Sequence, residues 1–172
     1  MSAQAHLMGR GHGTLNVVED KAYIVLSVSV SVFRDGDAHE AVADGILTAA
    51  ELETHQQALR NALRAGFQIR YRQTVVPFGS ILLNLPKGSH HSEGRSAEVT
   101  AMIVVPLGAK AGQKESIEVQ NMLWDPTEKR LKLRATLTES GKTVRTEVAE
   151  LTPNQNRHRF FSPSRPQEMG RR

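Results

Sequence analysis

The sequence predicts a mainly β fold, an antiparallel β-sandwich with one loop and helix inserted between early strands. Three observations predict it. Long stretches alternate apolar and polar residues, a single window changes to the helical period, and turn-forming residues divide the rest into about seven or eight short extended segments. The same rhythm is compatible with a barrel.

Each element has its own signal. Thr14 to Val18 reads as a short strand, and Lys21 to Phe33 as a long one in which Ile24, Leu26, Val28, Val30 and Val32 share a face opposite Ser27, Ser29 and Ser31. Residues 35–44 are polar and turn-like. From Ala49 to Ala65 the apolar residues Leu52, Leu59 and Leu63 recur at helical spacing, Thr48 and Glu51 form a capping box, and Gly66 stands where a left-handed C-terminal cap is wanted.

Alternation then returns, with Phe67, Ile69 and Tyr71 against Gln68, Arg70 and Arg72. Further strands are expected at Ile81 to Leu85, around Ala97, Val99, Ala101 and Ile103, around Ile117 and Val119, along Leu131, Leu133, Ala135 and Leu137, and from Val144 to Leu151. Pro86, Pro106, Asp125-Pro126-Thr127, Ser140-Gly141 and Thr152-Pro153 separate them. Trp124 is expected to anchor a strand end in the core. Short strands at such intervals are the pattern of an Ig-like sandwich.

With 172 residues the chain can build one well-buried core. A single domain is expected over residues 14–161, with the loop-helix insertion at 34–66, a flexible N-terminal segment at 1–13 and a flexible tail at 162–172. The apolar fraction of 39% and charged fraction of 23% are globular values. A net charge of +4 is modest, and the basic residues form no stripe interleaved with aromatics, so no nucleic-acid partner is expected. The densest basic run, Arg157, His158, Arg159, Arg165, Arg171 and Arg172, reads as a solvated end.

The chain has no cysteine, which removes disulfides, thiolate metal sites and cysteine nucleophiles together. No apolar stretch reaches the roughly 20 residues of a membrane span. The polar start, Met1 to Gly13, lacks a signal peptide's apolar middle and matches a mature exported protein whose leader is gone, so a periplasmic or extracellular location is expected. Nucleophile elbows, zinc-protease helices and glycine-rich phosphate loops are missing, and no catalytic residue is assigned; a non-enzymatic role is expected.

One stretch carries specific chemistry. Asp44 to Leu52 reads D-G-I-L-T-A-A-E-L, the second half of a calcium loop running into its exit helix. Asp44 would offer a carboxylate, Gly45 the sharp turn, Ile46 a backbone carbonyl, Thr48 a hydroxyl or its water, and Glu51 both carboxylate oxygens. The first half departs from the pattern. Counted without gaps, Glu40 takes the first ligand place and Val42 the third, and valine cannot ligate. In a second register Asp35 and Asp37 are the first two ligands and five extra residues, His39 to Ala43, bulge out before Asp44. The second is preferred because it explains the acidic pair. The candidate metal set is thus Asp35, Asp37, Asp44, Ile46, Thr48 and Glu51, with Ca²⁺ as the ion and affinity of about 10⁻⁴ to 10⁻³ M as in extracellular modules. Each residue also has a structural explanation, as capping box or turn former.

With its phenylalanine-ended strand, acidic loop, D-G-x-L-T-x-x-E-L motif and following strands, the segment Val28 to Arg70 resembles the exported EF-hand-containing β domains of proteobacteria, some of which accompany membrane proteins of the hydrogenase/urease accessory permease type. The resemblance implies calcium ligation, an extracytoplasmic location and a protein partner, such as a membrane complex, but no reaction. Two alternatives are a metal-independent protein-interaction domain and a copper or nickel binder using His6, His12, His90 and His91 with Met1 and Met8.

Overall fold

The computed structural model describes residues 8–35, 38–86, 95–108 and 115–163. Its strands are β1 (His12–Val18), β2 (Lys21–Ser29) and β3 (Leu47–Thr48), followed by the helix α1 (Ala49–Gly66). After the helix come β4 (Phe67–Tyr71), β5 (Thr74–Val76), β6 (Ser80–Asn84), β7 (Arg95–Ser96), β8 (Glu98–Pro106) and β9 (Ile117–Asn121). Three more close the chain: β10 (Leu131–Glu139), β11 (Lys142–Leu151) and β12 (Arg157–Phe160). The fold is mainly β, and the described residues hold one α-helix and no closed barrel. None of the described helices is long and apolar enough to cross a membrane.

A six-stranded sheet runs β11-β10-β1-β2-β8-β6, a four-stranded sheet runs β12-β9-β4-β5, and β3 pairs with β7. The larger sheet departs from the expected antiparallel arrangement at one place: β1 lies parallel to β10, from His12 against Lys132 to Val18 against Thr138. Alternation along the strands supplies a single core. Leu15, Ile24, Leu26, Ile103 and Leu133 of the larger sheet, Ile69, Val119 and Phe160 of the smaller one, and Leu59 and Leu63 of α1 are all buried in one cluster. Trp124 is partly buried against it.

Four local expectations are corrected. The strand expected over Lys21 to Phe33 ends at Ser29, where the Ser29 hydroxyl accepts the Ser31 N–H and turns Val30–Phe33 into a 3₁₀ helix. Ser27 and Ser29, expected on a solvated face, are buried at 3% and 6% exposure. Gly66 is the last helical residue and shows no left-handed φ; a Cβ there would stand 2.3 Å from Leu123 Cδ2, so any side chain at this position would displace Leu123. Arg157, His158 and Arg159, expected in a solvated end, form β12 and pair with β9. His6, His90, His91, Asp37 and all but the first two residues of the expected tail lie outside the described residues.

Candidate functional site

The acidic corner precedes α1. Gly45 adopts φ +75°, the left-handed turn that a side chain would disfavour. The turn folds Asp44 back on the chain, and its Oδ1 accepts the Ile46 N–H at 3.0 Å. Leu47 is fully buried and Thr48 begins the helix. The Thr48 Oγ1 accepts the Glu51 N–H at 3.2 Å, and Glu51 Oε2 accepts both the Thr48 N–H and its hydroxyl at 2.8 Å. The expected capping box is therefore complete.

A cation from a distant strand also reaches this corner. Thr48 faces Arg95 across the β3–β7 pair, and the Arg95 guanidinium lies 3.7 Å from Asp44 Oδ2. Hydrogen bonds from the Thr48 N–H and hydroxyl hold the Glu51 carboxyl below its ordinary range, while the charge of Asp44 pushes it up and that of Arg95 pulls it down. The positive charge near Asp44 and Glu51 is thus supplied by a side chain.

In the first half of the loop the described residues are Asp35 and those from Ala38 onward. His39–Val42 is a 3₁₀ turn, and Ala38 and Val42 are buried in the core, so the segment packs inward where a bulge was expected. Asp35 is exposed before it, and Glu40 is exposed within it. No three acidic, histidine or cysteine side chains converge to hold a metal ion among the described residues. The structure therefore joins Thr48 to Glu51, and Asp44 to Ile46 and Arg95, but does not gather Asp35, Asp44 and Glu51 into one carboxylate cluster. Of the described histidines, His12 is exposed in β1 with its Nδ1 3.0 Å from the Arg10 carbonyl.

The most polar buried constellation lies elsewhere. Asp125 is only 8% exposed, and its Oδ1 accepts from the Thr127 N–H at 2.7 Å, the Thr127 hydroxyl at 2.5 Å and the Glu128 N–H at 3.0 Å. Its Oδ2 accepts from the Ser31 hydroxyl at 2.9 Å. Burial alone would raise the Asp125 pKa; the bonds from Thr127 and Glu128, with the nearby Ser29 hydroxyl, outweigh it and hold the carboxyl well below the usual range. The sequence showed the Asp125-Pro126-Thr127 turn but not Ser31 as its partner. A crevice beside it measures about 20 Å³, space for little more than a water, so the network acts as a structural clasp.

No protein-family model matches the chain, and no curated protein is significantly similar to it.

Proposed function

We propose that the chain is a non-enzymatic β domain, a sandwich of Ig-like type, that holds a protein partner without needing a metal ion. The observation that supports this most is an apolar row on the outward face of the larger sheet. Val25, Met102 and Leu82 stand side by side across β2, β8 and β6, with Tyr23 and Val104 in the next row. Leu82 is 50% exposed, Tyr23 41% and Met102 39%, and β6 ends the order of the sheet. An edge strand beside exposed apolar side chains is a template for strand addition by another chain. The self-contained acidic corner supports the metal-independent part of the reading, because hydrogen bonds and Arg95 already serve its carboxylates.

Melting the full chain in millimolar Ca²⁺ and in chelator tests that part, and equal melting temperatures are expected. A photocrosslinker at position 82 tests the surface. A discrete protein adduct that disappears with Tyr23→Glu is expected, and no adduct would overturn the assignment of this face.

One observation favours the calcium reading: Gly45 and the Thr48–Glu51 box have the local shape that the exit half of an EF-hand loop requires. On that reading Ca²⁺ raises the melting temperature and Glu51→Gln abolishes the rise. The implied extracytoplasmic location and membrane-complex partner rest on the sequence resemblance.

A further inference from the structure

The outward face of the smaller sheet is charged, and its charges do not balance. β4, β9 and β12 line a cleft of about 450 Å³ that contains Arg70, Arg72, Arg159, Glu115 and Glu118. Strand register sets the arrangement. Arg70 and Arg159 both face Glu118, from opposite sides. Arg70 Nε lies 3.7 Å from Glu118 Oε1, and an Arg159 terminal nitrogen lies 3.4 Å from Glu118 Oε2. One carboxylate is shared by two guanidiniums.

Glu115 is engaged by a third. Arg72 donates to Glu115 Oε1 at 2.9 and 2.5 Å, and the Tyr71 hydroxyl donates to Oε2 of the same carboxylate. Among the described residues, three cations therefore face two anions in the cleft, one positive charge in surplus. Arg70 Nε is moreover buried without a hydrogen-bond partner in the structure; its distance to Glu118 is beyond hydrogen-bonding range. Arg72 and Gln73 hold left-handed φ values of 50° and 66°, an unfavourable conformation for non-glycine residues, and both line the cleft.

We propose that this cleft binds a small oxyanion, a molecule carrying carboxylate or phosphate oxygens. Arg70 and Arg159 supply the charge-assisted donors, and Ser116 and Gln73 border the ligand as neutral polar groups. Glu118 is the built-in competitor: a ligand oxygen takes over the guanidinium donors that Glu118 now shares. The volume lies within the range of small-molecule sites.

The test is an amide chemical-shift titration of the full chain with inorganic phosphate and, separately, with citrate, at ionic strength held constant by sodium chloride. Saturable shifts confined to residues 70–73, 115–118 and 159 are expected for at least one probe, and whichever saturates identifies the preferred oxygen chemistry. Arg159→Gln should weaken binding about tenfold, the scale of one lost charge-assisted contact. Glu118→Gln should tighten it several-fold, because it removes the internal competitor. The opposite signs separate a site from general damage, and melting curves of both variants verify folding. Should Arg159→Gln fail to fold, the Glu118→Gln comparison decides alone. Unsaturable shifts for both probes, an unchanged dissociation constant in folded Arg159→Gln, or weaker binding by Glu118→Gln would overturn the proposal.

Discussion

The Ser31 hydroxyl donates to the buried carboxylate of Asp125 at 2.9 Å across 94 residues of sequence. This bond joins the 3₁₀ turn after β2 to the loop before β10, so the polar clasp ties together two strands at the same end of the larger sheet, on either side of β1, that the chain visits far apart.

Asp125→Asn should destabilise the protein by about 2–3 kcal/mol, since it weakens several bonds to a charged acceptor at a buried position. Urea unfolding at neutral pH measures the loss.

The same group sets an acid dependence. Its folded pKa is depressed, so its contribution is present above the unfolded value of about 3.9 and is lost as pH falls through the folded value. The wild type should lose stability below about pH 4 more steeply than Asp125→Asn, and parallel slopes in urea unfolding across that range would refute the assignment.

Gly66 and Leu123 form a second long-range pair, coupled by lack of space. Gly66→Ala gains helix propensity of about 1 kcal/mol but forces a Cβ into Leu123, so a net destabilisation of about 1–3 kcal/mol is expected. Placed on Leu123→Ala, the same substitution should be neutral or stabilising, and a double-mutant cycle reads the coupling.

Thr48→Ala removes the helix cap and should cost about 1 kcal/mol with or without Ca²⁺. Arg95→Gln, by contrast, breaks an exposed ion pair and should change stability by less than about 0.5 kcal/mol. On the calcium reading Arg95→Gln would also strengthen the Ca²⁺-dependent rise in melting temperature, because it removes the competing positive charge.

Gln73→Gly should stabilise the hairpin between β4 and β5 by about 0.5–1 kcal/mol, since glycine adopts φ 66° without a steric penalty. A thermal melt checks the sign.

Local features were readable in the sequence. The period from Leu52 to Leu63, together with Thr48 and Glu51, placed α1 and its cap, because the signal and its structural consequence lie within a few turns of the same helix. The alternation of Phe67, Ile69 and Tyr71 likewise placed them inward. Val30 and Val32 continued a strand-like period past Ser29, but the serine's hydrogen bond to the next turn ended the strand. The parallel pairing of β1 with β10, the Ser31–Asp125 bond and the Arg70–Glu118–Arg159 row were not readable, since each depends on which distant strands become neighbours. At the acidic corner, residues 44–51 showed their turn and cap chemistry, whereas Arg95 arrives from β7 and left no local sign.

The placement of β1 between β2 and β10 also bears on when the chain acquires its shape during synthesis. His12 is made well before its parallel neighbour Lys132, which follows only after 119 intervening residues. Until then β1 has β2 on one flank and an open ladder of amide and carbonyl groups on the other. Completion of the sheet is therefore a late event, and the nascent chain carries an adhesive edge that binding factors or rapid release must protect.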